Sequence, residues 1–118
     1  MKRTTNQHLQ TLIADLRKHS YTNEASLWKR LADDLAKPSR QRRIVNINHL
    51  NRITHENETI VVPGKVLGAG VLNHSITVAA WNFSSTAKEG IEKAKGKCLS
   101  LPELMKQNPK AQKVRIIG

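Results

Sequence analysis

At 118 residues the chain is sized for one domain with a single modest core, which excludes a multidomain enzyme. Twenty Lys and Arg against nine Asp and Glu leave a net charge of +11, so the natural partner is a polyanion. The only aromatics, Tyr21, Trp28, Trp81 and Phe83, make a poor platform for stacking single-stranded bases, and the phosphate backbone is the better-matched ligand.

Leu9, Leu12, Ile13 and Leu16 recur at helical spacing behind Thr5 or Asn6 as N-cap, which predicts a helix over 6–19. Asn23 is the expected cap of a second helix. Its stripe is Leu27, Trp28, Leu31, Ala32 and Leu35, it ends before Pro38, and Trp28 is its core anchor. These helices form an N-terminal pair over residues 1–36.

A basic loop over 37–43 follows, Lys37-Pro38-Ser39-Arg40-Gln41-Arg42-Arg43, with four cations in seven residues and no carboxylate. Their mutual repulsion, roughly 1 kcal/mol per close exposed pair, is relieved by a phosphate surface.

The remainder, 44–118, reads as an α/β core. Ile44–Ile47 is a short strand, and Ile47, Leu50 and Ile53 mark a helical turn behind it. Thr59–Val62 is a second strand ending at Pro63-Gly64, after which Lys65–Gly70 suggests a tight backbone crossing. Ile76–Phe83 carries almost no polar side chain and reads as a strand buried on both faces. Thr86 and Glu89 have capping-box spacing ahead of a helix whose buried side is Ala87, Ile91, Ala94 and Cys98. Ser100 and Glu103 repeat that spacing, Pro109 stops the short helix they open, and Val114–Ile117 closes the chain as a strand. Trp81 and Cys98 are expected in the core. The fold class is therefore α/β in a single domain, irregular because no βαβ repeat of fixed length emerges.

The charge is unevenly spread. Residues 37–65 hold six bases and two acids, residues 106–118 hold four bases and no acid, and residues 66–87 between them carry no charge. No run approaches the ~20 apolar residues of a bilayer span, and the amino terminus enters no apolar signal core. The lone Cys98 offers neither an internal disulfide nor a thiolate zinc site. The expectation is a protein of the reducing cytoplasm with no membrane contact.

Chemistry finds little support. The glycine segment lacks both the P-loop pattern and the last glycine of the dinucleotide fingerprint. The acids are scattered, Asp33 and Asp34 diverge on a helix, and the histidines form no ligand array. Cys98 with His74 as base is open to sequence, although a cysteine on an apolar helical stripe is ordinarily inert packing. No catalytic, metal or cofactor residues are assigned, and no small-molecule substrate is expected. A helix-turn-helix DNA regulator presenting Lys29 and Arg30 is the alternative, and Asp33 and Asp34 on much the same surface weigh against it.

Several motifs together resemble one family. Lys37–Ile47 as a block, then Leu50-Asn51-Arg52-Ile53, Val62–Gly68, Gly96-Lys97-Cys98-Leu99-Ser100 and the closing Val114–Gly118 are similar, in this order and end to end, to the archaeal form of the eukaryotic-type large-subunit ribosomal protein eighteen family. That resemblance implies a relationship in fold to large-subunit protein fifteen, an irregular superhelix of ββα turns with two helices in front. It also implies a structural, non-enzymatic role in the large ribosomal subunit, with ribosomal RNA and neighbouring ribosomal proteins as partners. Lys37, Arg40, Arg42 and Arg43 of the loop, Lys2 and Arg3, and Lys65 are the RNA contacts it implies, with Lys95, Lys97, Lys110, Lys113 and Arg115 following. The chain departs from the family at Ala111-Gln112-Lys113, where glycine is usual.

Overall fold

The computed structural model describes residues 7–37 and 43–117. Two helices come first, α1 (Gln7–Asn23) and α2 (Ser26–Leu35), followed by β1 (Arg43–Asn46), α3 (Ile47–Ile53), β2 (Glu58–Leu67) and β3 (Ile76–Phe83). The chain continues through α4 (Ser85–Lys93), β4 (Lys97–Ser100), α5 (Leu101–Gln107) and β5 (Val114–Ile116). All the strand pairs are parallel, in the order β1-β2-β3-β4, and β5 joins the β1 side of β2 nearer its start. The α/β class and the N-terminal helix pair are as expected.

A parallel sheet needs both faces covered, and the apolar residues divide accordingly. Val61, Ala79 and Leu99 meet α1, α2 and α5 through Leu12, Leu16, Trp28, Leu31, Leu35, Leu101 and Leu104. Val45, Ile60, Val62, Val66, Val78 and Ala80 meet α3 and α4 through Ile47, Leu50, Ala87 and Ile91. Trp28 is fully buried and donates its indole N–H to the Pro109 carbonyl at 2.6 Å, which confirms it as an anchor.

Several local expectations are corrected. β2 does not stop at Pro63-Gly64. It pairs with β5 only up to Val61 and with β1 only from Gly64, and its pairing with β3 shifts register between Val62 and Lys65. Pro63 falls between these ladders, where a missing N–H costs no strand bond. Gly64 is demanded by close approach, since a Cβ there would collide with the Arg43 carbonyl.

Asn23 ends α1 instead of capping α2, and its amide donates to the His19 carbonyl at 3.1 Å. Ser84, not Thr86, caps α4 by accepting the Ala87 N–H at 3.1 Å. Cys98 belongs to β4. The chain leaves α4 with Lys95 at φ +64°, the Lys95 N–H on the Glu92 carbonyl and the Gly96 N–H on the Ile91 carbonyl, a Schellman closure. The helical spacing from Ala87 to Cys98 thus runs past the cap. Trp81 and Cys98 are both half-buried rather than core. The Ser100–Glu103 capping box forms as expected. The N-caps Thr5 and Asn6 and the Pro38 stop lie outside the described residues.

Candidate nucleic-acid interface

β1 runs into α3 with no residue between them. Ile47 and Leu50 are buried under the sheet, and helical geometry then turns Asn48, His49 and Arg52 outward, where all three are exposed. The loop after β2 is fastened to this unit. The Asn48 N–H reaches the Ala69 carbonyl at 3.1 Å, the Ala69 N–H reaches Asn46 Oδ1 at 3.3 Å, and the Asn73 N–H reaches Asn51 Oδ1 at 2.8 Å. Gly70, at φ +97°, lets that loop pass where a side chain would collide with Asn48.

The product is a cleft of about 300 Å³ lined by Arg43, Ile44, Val45, Asn46, Asn48, His49 and Arg52. Among the described residues no carboxylate lines it. Neither arginine has an ion-pair partner among the described residues, in contrast to Arg17, Lys29, Lys37 and Arg115. Lys65 lies beside the cleft. It is in register with Ile44 on β1 and Asn82 on β3, it is exposed, and it faces away from the side that buries Val45 and Val66.

The other expected cations divide into groups. Lys97 opens β4 opposite Thr77, Lys95 precedes it, and Lys110 and Lys113 precede β5, which starts opposite Thr59. All four are exposed at the amino ends of the strands. Arg43 and Lys65 lie near register positions 64 and 65 of β2, whereas this edge lies near 58 and 59, so at about 3.3 Å per residue the two regions are roughly 20 Å apart.

Two expected contacts are engaged within the fold. Arg115 forks onto Glu58, Nε to Oε2 at 2.9 Å and Nη2 to Oε1 at 3.1 Å, and also donates to the Ile53 carbonyl at 2.5 Å. Lys37 reaches Asp34 at 3.1 Å. Lys2, Arg3, Arg40 and Arg42 lie outside the described residues. The sequence reading missed His49, Asn48 and Arg52. The signal was present, because a helix anchored by Ile47 and Leu50 must turn positions 48, 49 and 52 outward.

Burial, and secondarily the Glu92 charge, pushes the Cys98 thiol above its ordinary pKa, against a reactive thiolate. The His74 ring is bonded to the Thr54 hydroxyl at 2.8 Å. Asp33 bonds Lys29 at 3.0 Å and lies 3.5 Å from Arg17. The hydrogen bond from Lys29 comes first in holding its carboxyl below the usual range. Among the described residues no three His, Cys, Asp or Glu converge as metal ligands, and no helix is long and apolar enough to cross a membrane. As for the helix-turn-helix alternative, α2 buries its apolar stripe against the sheet and Lys29 is tied to Asp33.

Residues 7–99 match the family model described as ribosomal proteins 50S-L15, 50S-L18e and 60S-L27A. The chain is 46% identical over 115 residues to the large ribosomal subunit protein eL18 of Methanococcus maripaludis, covering 98% of this chain and 96% of that one. It is 46% identical over 113 residues to the eL18 of Methanothermobacter thermautotrophicus, covering 96% and 93%. The eL18 of Methanopyrus kandleri is 44% identical over 118 residues, again covering 96% and 93%. With most of its length matched, this chain belongs to the ribosomal protein family of 50S-L15, 50S-L18e and 60S-L27A.

Proposed function

We propose that the chain is a structural constituent of the large ribosomal subunit in the cytoplasm, holding segments of ribosomal RNA in place by neutralising their phosphates, with other large-subunit proteins as neighbours. Membership of a ribosomal protein family and relatives named as large-subunit proteins support the setting. The observation that carries the RNA reading is the carboxylate-free cleft holding Arg43 and Arg52. A guanidinium presents a planar fork that matches two phosphate oxygens, and one without an internal partner is free to use it.

Lys65 extends this surface across the sheet. Lys95, Lys97, Lys110 and Lys113 serve a second segment at the amino edge, so that two stretches of RNA are tied across the slab. Lys2, Arg3, Arg40 and Arg42 join these contacts on the strength of the family resemblance. Arg115 and Lys37 have carboxylate partners in the fold, so their contribution is first to the fold.

If about six phosphates are neutralised, affinity for a ribosomal RNA fragment falls by ~10³ between ~50 and ~200 mM salt. The decisive experiment is reversal of charge at Arg43 and Arg52 together, Arg43→Glu with Arg52→Glu, followed by sedimentation of the tagged protein from cells. Loss from the large-subunit fractions is expected, and undiminished incorporation overturns the assigned role of the cleft.

A further inference from the structure

The cleft beside β1 holds groups that phosphate recognition leaves unused. Ile44 exposes 65% of its surface in the middle of a four-residue strand that pairs with β2 alone. Among the described residues no strand pairs with the outer edge of β1, and the N–H and C=O groups of such an edge can bond a ligand. The exposed Asn48 side chain lines the same cleft, positioned by its own N–H on Ala69 and by the close pass of Gly70.

An A-form duplex turns its bases inward and offers a protein mainly sugar and phosphate, whereas an unpaired nucleotide can be splayed into a recess and bonded along its edge. A cleft of about 300 Å³ lies at the small end of ligand sites, the scale of one nucleotide and far smaller than a helix of RNA. The exposed Ile44 side chain, an amide and the outer backbone of β1, flanked by two guanidiniums without an ion-pair partner among the described residues, form a set that matches a nucleotide piece by piece.

We propose that this cleft receives one unpaired nucleotide. Arg43 and Arg52 take the phosphates on either side, the base lies on Ile44, and its edge bonds to Asn48 and the open backbone of β1. No aromatic platform is involved, in keeping with a chain so poor in aromatics. The absence of any carboxylate in the lining favours RNA over an extended protein segment added to the β1 edge, the other occupant such an edge accepts. The inference rests on the RNA-binding role proposed above and specifies what that site takes.

The test measures binding of the full chain to three labelled probes: a short oligouridylate, the same strand carrying abasic positions, and a blunt RNA duplex. The wild-type protein is compared with Ile44→Ser/Asn48→Ala and with Arg43→Glu/Arg52→Glu, all checked for unchanged melting temperature. Ile44→Thr replaces Ile44→Ser if the first variant does not fold. The expected result is that removing the bases, or substituting Ile44 and Asn48, weakens single-strand binding about three- to tenfold, the scale of one or two hydrogen bonds and a small apolar contact. Duplex binding stays within about twofold. Equal binding of intact and abasic strands overturns the nucleotide site while leaving phosphate recognition intact. Loss of subunit incorporation by Ile44→Ser/Asn48→Ala with all RNA binding unchanged assigns the edge to a protein neighbour and also overturns it. No effect of Arg43→Glu/Arg52→Glu on any probe removes the RNA reading of the cleft itself.

Discussion

Arg115 on β5 grips Glu58 at the start of β2 with both Nε and Nη2, at 2.9 and 3.1 Å, and reaches on to the carbonyl of Ile53 at the end of α3. One side chain thus ties together three elements that the chain order separates by up to 62 positions. The Glu58 carboxylate is shared, since its Oε1 also accepts the His55 N–H at 2.9 Å.

This geometry separates Arg115 from the other cations of the tail. Arg115→Ala should lower the free energy of unfolding by about 1 kcal/mol, a modest value because the pair is half exposed and screened. Arg115→Lys should recover only part of this, because an ammonium cannot span both carboxylate oxygens and the carbonyl. Affinity for an RNA fragment should change less than about twofold. A large affinity loss without destabilisation would place Arg115 on the RNA instead.

Trp28 supports a second prediction. It is fully buried, and its bond to Pro109 fastens the loop after α5 to the N-terminal helix pair. Trp28→Phe retains most of the apolar surface and leaves the Pro109 carbonyl without its donor, at a cost of about 1 to 2 kcal/mol. Trp28→Ala adds a cavity and should cost about 3 to 5 kcal/mol. Urea unfolding measures both, and similar losses for the two variants would show that the hydrogen bond, not the packing, dominates.

What could be read from sequence, and what could not, follows from the range of the forces involved. The stripe from Leu27 to Leu35, the apolar run of β3 and the Ser100–Glu103 box are local patterns, and each formed as expected. Some errors arose where the deciding contact is remote, and others, at Asn23, Thr86 and Cys98, where a neighbouring cap or turn competed with the helical pattern. Pro63 reads as a strand end because nothing local reveals that β1 and β5 share one edge of β2 and leave a gap at that residue. Cys98 continues a helical spacing that the Lys95 turn interrupts. In the candidate site, the family motifs pointed to Arg43 and Lys65, whereas the helical pattern turns Asn48 and Arg52 outward without revealing that α3 flanks the outer edge of β1. Pairing of Arg115 with Glu58 is equally invisible locally, since the two are 57 positions apart.

The two amino-edge lysines in left-handed backbone predict opposite effects on stability and binding. Lys95 and Lys113 have φ of +64° and +59°, a conformation in which a Cβ costs roughly 1 kcal/mol and glycine costs little. Lys95→Gly and Lys113→Gly should each stabilise the protein by up to about 1 kcal/mol in thermal or urea unfolding. Each should also reduce the slope of log affinity against log salt by nearly one if its ammonium meets a phosphate. Stabilisation with an unchanged slope would remove that lysine from the interface.

The capping box at α5 makes a pH prediction. The Ser100 hydroxyl accepts the Glu103 N–H at 3.2 Å, and the Glu103 carboxylate accepts the Ser100 N–H at 2.8 Å. That bond from the Ser100 backbone is the first cause holding the Glu103 carboxyl below its usual range. With a folded pKa below the unfolded one, the carboxylate's stabilising contribution is fully present above the unfolded pKa and is lost as pH falls through the folded value. Glu103→Gln should therefore flatten the acid limb of the stability curve while leaving the neutral region less affected, since an amide oxygen still accepts the bond. Ser100→Ala should cost about 1 kcal/mol through loss of the N-cap, and it should narrow the difference between Glu103 and Glu103→Gln on the acid limb. Chemical unfolding from neutral pH down to about pH 3 measures each curve, and parallel acid limbs for the wild type and Glu103→Gln would show that the shift has no consequence for the fold.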